Sequence, residues 1–220
     1  MPKASEKEYN AGMNISKGPL LVVEDIPDTL ELVNVALTFK GYRVVTARNG
    51  QEALDAIQKE RPALIVTDIL MPQMDGFSLV HRLRINPETR KIPVIFLSAT
   101  YVAPEDKEFA AAIGVTRFIE KPIVLDELLR TVSELLSRGT VDSKPLDTRK
   151  FYQGYRERLE TKLKQKTAQI ARTESMLETL PEEEKQSFRA SMKLAIEERD
   201  EIQLLLDQIR KITDGDNQPG

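Results

Sequence analysis

The 220-residue chain has no cysteine, so neither disulfides nor thiolate metal sites and nucleophiles are available to it. It has no run of about eighteen apolar residues and no apolar signal-peptide core, which excludes a membrane-spanning helix and makes a cytoplasmic protein the expectation. It has little net charge: a formal −3 offers no general field for nucleic acid or anionic lipid and leaves only a local basic patch open. The length accommodates one domain of about 120 residues plus a second element too small to be a large enzyme domain.

What is present centres on the stretch Ala63-Leu64-Ile65-Val66-Thr67-Asp68-Ile69-Leu70-Met71-Pro72-Gln73-Met74-Asp75-Gly76. Four apolar or β-branched residues read as a strand buried on both faces, ended by an acid and a turning loop. In an open parallel sheet that end is where ligands sit. Three other segments read alike: Leu20-Leu21-Val22-Val23 runs into Glu24-Asp25, Val94-Ile95-Phe96-Leu97 into Ser98-Ala99-Thr100, and Val115-Thr116-Arg117-Phe118-Ile119 into Glu120-Lys121-Pro122. If all are parallel, their ends gather Glu24, Asp25 and Asp68, with Ser98 and Lys121 as neighbours. Three adjacent carboxylates repel one another unless a cation joins them. A hard ion such as Mg²⁺, held by carboxylates with positions left for water and phosphate, suits phosphoryl transfer.

Residues 18 to about 138 resemble the receiver domain of two-component response regulators. The resemblance rests on Glu24-Asp25 after the first strand, Asp68 followed by Met71-Pro72 and Asp75-Gly76, Ser98-Ala99 after the fourth strand, Phe118 in the fifth, and Lys121-Pro122 beyond it. It implies a doubly wound, flavodoxin-like α/β domain whose five parallel strands lie in the order 2-1-3-4-5.

The spacing along the chain predicts matching elements. Residues 1–17 are polar and aperiodic, and are expected to be a disordered tail. Helices are predicted from Pro27 to Lys40-Gly41, around Ala53, Leu54 and Ile57, from Phe77 to Ile85, over 104–113 and over 125–136, with a second strand over 42–46. The 104–113 helix has only a thin apolar stripe of Phe109, Ala110 and Ile113. It is expected to pack less firmly than the others.

The resemblance also assigns roles. It makes Asp68 the phosphoacceptor, and places Mg²⁺ on Glu24, Asp25, Asp68 and the backbone carbonyl of Leu70. Lys121 would pair with a phosphoryl oxygen, and the bond to Pro122 would be cis. Ser98 would offer its hydroxyl to another phosphoryl oxygen, drawing its loop inward, and Phe118 would respond as the switch aromatic, without the hydroxyl that a tyrosine carries there. Leu70 and Thr100 would flank the path of a hydrolytic water, and neither is an acid or amide suited to orient it. The one histidine, His81, lies in the helix after the Asp68 loop among Val80, Arg82 and Leu83, and is expected to be a surface or half-buried residue. The chain is therefore expected to take phosphate from another molecule.

Residues 139–148, rich in Gly, Ser, Pro and charge, read as a linker ending in a helix cap at Asp147 or Thr148. Beyond it, Tyr152, Leu159, Leu163, Ile170, Leu177 and Leu180 form a heptad-like stripe interrupted by Arg156, Lys166 and Thr173. After Pro181, Phe188, Met192, Ala195, Ile202, Leu206 and Ile209 form a better one, broken at Arg199. Residues 149–213 then form either an antiparallel hairpin of two helices, each about 45 Å long, or one long helix kinked at Pro181. Eight basic against four acidic residues in the first arm and six against eight in the second favour arms that attract. Residues 214–220 are expected to be a second disordered tail.

The sequence reading is thus a response regulator of a phosphorelay, not an enzyme beyond its own phosphoryl transfer and dephosphorylation. Its expected partners are a sensor histidine kinase or histidine phosphotransfer protein, a further protein, and a second copy through the tail. The alternatives are a receiver-like scaffold that docks without being phosphorylated and, with less in its favour, a DNA-binding regulator. The basic first arm with Tyr152 and Tyr155 suits nucleic acid weakly, and no helix-turn-helix spacing is present.

Overall fold

The computed structural model describes residues 18–138 and 146–215, which form two compact units dividing between residues 145 and 146. The expected tail at 1–17, residues 216–220 of the tail expected over 214–220, and most of the expected linker, 139–145, lie outside the described residues; residues 214–215 are not tail but the end of the last helix.

The first unit alternates strand and helix: β1 (Leu20–Val23), α1 (Pro27–Phe39), β2 (Val44–Ala47), α2 (Gly50–Lys59), β3 (Leu64–Asp68), α3 (Gly76–Ile85), β4 (Val94–Ser98), α4 (Pro104–Ala112), β5 (Arg117–Glu120) and α5 (Leu125–Arg138). All neighbouring strands are parallel, in the order β2-β1-β3-β4-β5. This is the doubly wound, flavodoxin-like architecture expected of strands that are apolar on both faces.

Alternation along the strands divides the core. Leu20, Val22, Leu64, Val66, Ile95, Leu97 and Ile119 point to one face, where Val33 and Leu37 of α1 and Leu128, Val132 and Leu135 of α5 cover them. On the other face Phe96 meets Phe77 of α3 edge to face at 5.2 Å, and Phe77 meets Phe109 of α4 at 5.3 Å. Register places Val23 opposite Thr67 and Ala47, and Asp68 opposite Leu97. The residues just beyond Val23, at Asp68 and after Leu97 therefore share one edge of the sheet.

Two strand bounds move from the sequence expectation. β2 begins at Val44 rather than 42 because the Tyr42 amide is used to close α1, donating to Leu37 O at 3.2 Å beside Gly41 at φ 84°. β5 begins at Arg117 rather than 115: the Val115 amide still donates to Ala110 O at 2.9 Å and completes the turn after α4. His81 is also corrected. It is 5% exposed, because α3 is covered on most sides, with Phe77, Leu79, Val80, Leu83 and Arg84 buried around it. Burial, then the Arg82 charge, lowers its pKa.

The second unit contains α6 (Thr148–Thr179) and α7 (Glu182–Gly215). Asp147 is the cap, accepting the Lys150 amide at 3.1 Å. Lys166 pairs with Glu198, and Arg210 lies 3.4 Å from Glu160. Contacts that climb one arm as they descend the other require an antiparallel hairpin, not a single kinked helix. Leu180 ends α6 in extended conformation. Arm two buries Ala195, Ile202, Leu206 and Ile209 as its stripe implied; on arm one Leu159 and Ile170 of the expected stripe are buried and Tyr152, Leu163, Leu177 and Leu180 are half-buried. Phe151, Tyr155 and Lys162 are buried beside them and widen the covered face beyond the stripe.

Candidate functional site

The site lies at the carboxyl edge of the sheet, and each element delivers its residue there for a local reason. β1 ends against β3, so Glu24 and Asp25 emerge beside Asp68. A ligand oxygen from each of these three carboxylates lies within 4.8 Å of the other two. Lys121 follows β5, its amide donating to Ser98 O at 2.9 Å, and its peptide bond to Pro122 is cis. The ammonium reaches back to Glu24 Oε2 at 2.8 Å and Asp68 Oδ2 at 3.3 Å.

The loop after Asp68 is held from both ends. Asp75 caps α3 through the Ser78 amide at 2.9 Å, and the Gly76 amide donates to Ile69 O at 2.8 Å. A Cβ on Gly76 would stand 2.4 Å from Asp68 O, so any side chain there would push the helix start away from the acid. Leu70 lies half-buried in this turn, two residues beyond Asp68. Ser98, 2% exposed, ends β4. Phe118 lies half-buried on β5 directly opposite Phe96. The structure therefore brings Glu24, Asp25, Asp68 and Lys121 into one cluster, with Ser98 on the adjacent strand end and Phe118 two residues earlier in register.

Burial controls the electrostatics. Glu24 is fully buried and its pKa is raised by desolvation, which outweighs its hydrogen bond and charge pairing with Lys121. Burial likewise raises Asp25. Asp68 is pushed up to about 7, by burial first; the Lys121 charge opposes the shift and the Glu24 charge adds to it. Burial pulls the Lys121 ammonium down, but Asp68 and Glu24 overcome this, and its pKa ends raised. The cluster thus holds more negative charge than one lysine neutralises. Its donor set suits a hard dication: oxygens on opposite sides of Mg²⁺ stand about 4 Å apart, and three donors within 4.8 Å need only small side-chain rotations to converge.

Sequence reasoning missed two residues. Arg84 is 1% exposed, its guanidinium donating to Gly114 O at 2.8 and 3.2 Å and to Arg90 O at 3.0 Å. Burial lowers its pKa to about 10. The signal was there, since Phe77, Val80, His81 and Arg84 fall at i, i+3, i+4 and i+7 and share one helix face. Tyr101 is fully buried and packs on Phe77 at 5.3 Å; its place three residues after Ser98 was the available cue.

Residues 20–133 match the family model described as the response regulator receiver domain. The response regulator Rre1 of Synechocystis is 37% identical over 125 residues, which are 56% of this chain and 54% of that protein. The probable transcriptional regulatory protein TcrX of Mycobacterium tuberculosis is 35% identical over 127 residues, 56% of this chain and 53% of its own length. The chain thus spans about half the length of either relative. Among solved structures, the chemotaxis response regulator CheY4 of Vibrio cholerae is 34% identical with a TM-score of 0.51, covering 54% of this chain and 98% of that one. The carboxylate cluster, the strand order and the matched residues agree, and the chain belongs to the response regulator receiver family.

Proposed function

We propose that the chain is a phosphorelay response regulator that accepts a phosphoryl group on Asp68 and signals through its helical tail. The observation that carries this reading is the cluster itself: three carboxylates, Asp68 among them, and one lysine, with Glu24 and Asp68 buried and Asp25 and Lys121 half-buried. A structural ion-pair network has no use for three acids against one base. A site built to receive a phosphoryl group and a dication does.

In the proposed step an Asp68 carboxylate oxygen attacks the phosphorus of a phosphohistidine on a sensor kinase or phosphotransfer protein. The P–O bond of a mixed anhydride forms as the P–N bond breaks, its electron pair staying on the imidazole nitrogen. Lys121 turns from Asp68 to a phosphoryl oxygen, a charge-assisted contact that offsets the loss of the carboxylate partner. Ser98 donates a hydrogen bond from its hydroxyl to a second phosphoryl oxygen. Mg²⁺ held by Glu24, Asp25, Asp68 and the Leu70 carbonyl would supply neutralisation of the charge on the phosphoryl oxygens.

Among the described residues no helix is long and apolar enough to cross a membrane, which accords with action on the cytoplasmic side. The tail is proposed to join two copies or to hold a protein partner, not nucleic acid. Incubation with acetyl phosphate and Mg²⁺ tests the central step: label is expected on Asp68, absent with a chelator and absent in Asp68→Asn. A chain that takes no label but still binds its partner would be a docking scaffold.

A further inference from the structure

Ser98 is tied to a different aromatic from the one on β5. Its hydroxyl oxygen accepts the backbone N–H of Thr100 at 3.2 Å and of Tyr101 at 3.0 Å. Both lone pairs are engaged, and the hydroxyl proton is left as the group's means of bonding outward. Any movement of Ser98 toward an acceptor on Asp68 must carry the Thr100-Tyr101 turn with it or break two buried hydrogen bonds.

The Tyr101 ring is fully buried and meets Phe77 nearly perpendicular at 5.3 Å, and Phe77 in turn meets Phe109 of α4 at 5.3 Å. Phe118 sits at the outer end of this cluster, 6.5 Å from Phe96, with the Lys107 ammonium 5.8 Å from its ring centroid and Lys107 paired to Glu120. It has no hydrogen-bonded link to the Ser98 hydroxyl comparable to that of the Tyr101 amide. Close-packed rings do not deform continuously, so a displaced Tyr101 must displace a neighbour.

The helix on the receiving side is held unequally. At its start, α4 has Ala103 as cap, with no side-chain hydrogen bond. At its end, Arg84 grips the Gly114 carbonyl with two nitrogens. Gly114 is at φ 92°, and a Cβ there would stand 2.7 Å from Arg84 Nε, so the glycine admits the guanidinium.

We infer that Tyr101 is the positioning residue that delivers Ser98 movement to α4, which pivots about the Arg84–Gly114 anchor. The inference rests on Asp68 being the phosphoacceptor. It makes the start of α4 the part that responds and residues 113–116 the part that stays.

Hydrogen exchange on the full chain, with and without acetyl phosphate and Mg²⁺, tests this alongside the label on Asp68. Wild type is expected to change protection over 101–108 by about five-fold or more, with 113–116 nearly unchanged. Tyr101→Leu should keep the label and lose the change; Tyr101→Phe, which keeps the ring, and Phe118→Leu should keep both. Label formation reports that each variant is folded, and Phe109→Leu interrupts the same path from the α4 side should Tyr101→Leu not fold. No label on wild-type Asp68 would overturn the phosphoacceptor reading and this inference with it. Label with an α4 response that persists in Tyr101→Leu or in Phe109→Leu, or that disappears in Phe118→Leu, would overturn the inference alone.

Discussion

Glu24 and Lys121, 97 residues apart in sequence, form an ion pair of 2.8 Å in which the carboxylate is wholly withdrawn from solvent and the lysine side chain is 17% exposed. Removing one partner of such a pair strands the other. Lys121→Met should therefore cost about 3 kcal/mol in a chelator, the low end for a broken buried pair because Lys121 keeps some contact with water. Millimolar Mg²⁺ should restore part of the loss. Glu24→Gln combined with Lys121→Met should be more stable than Lys121→Met alone. Urea melts of the four proteins form the cycle, and additive losses would refute the coupling.

Asp68 ionises near 7 in the fold against an ordinary value of 3.8. Between those values the folded chain keeps a proton that the unfolded chain has released, so stability falls as pH rises through this window and the full penalty is present above about 7. In a chelator at pH 8, Asp68→Asn should be more stable than wild type by about 1–3 kcal/mol, less than the whole shift converts to because Lys121 loses a charged partner. The advantage should shrink toward pH 5, and Mg²⁺ should narrow it at pH 8. A variant no more stable than wild type at pH 8 without metal would contradict the burial argument.

The strands were legible because each is an apolar run, and the acids stood out because they end those runs. Arg84 and Tyr101 were not legible in the same way. Arg84 is accommodated by the Gly114 carbonyl, thirty residues on, and a charged residue on a helix is expected at the surface until that partner is known. The Tyr101 ring is sheltered by Phe77, which also meets Phe109, and that arrangement exists only once α3 and α4 are both in place. Glu24 was read as a metal ligand, but nothing local shows that Lys121 occupies it directly. In the tail the stripe was visible but its full width was not: Phe151, Tyr155 and Lys162 are buried beside it, and a lysine on a helix is expected at the surface.

Phosphoryl lifetime depends on what can orient a water beside Asp68. Leu70 is half-buried and apolar, and Thr100 is half-buried with its amide engaged by Ser98. Slow autodephosphorylation is expected. Leu70→Asn should speed decay of the label roughly ten-fold, below the range of full general-base catalysis because an amide can only position the water. A decay rate that ignores this change would remove Leu70 from the water's path.

The tail carries more apolar surface than its own hairpin covers. Ala195, Ile202, Leu206 and Ile209 of α7 are buried, while Leu194, Leu204 and Ile212 remain 58%, 61% and 43% exposed. At 100° per residue the exposed set lies on one side of α7, about a third of a turn from the buried set. On α6, Met176 is 47% exposed. Covering the part of each such side chain still in water would contribute about 1–2 kcal/mol, roughly half the value for full burial, and a two-fold pair of hairpins covers the set twice with one interface. The full chain is therefore expected to be a dimer by light scattering with or without phosphate on Asp68, and residues 1–140 a monomer. Leu194→Glu with Leu204→Glu should give a monomer with unchanged helix content, since neither residue lies in the hairpin seam. A monomeric wild type, or a truncated chain that dimerises equally well, would rule out the tail as the joining element.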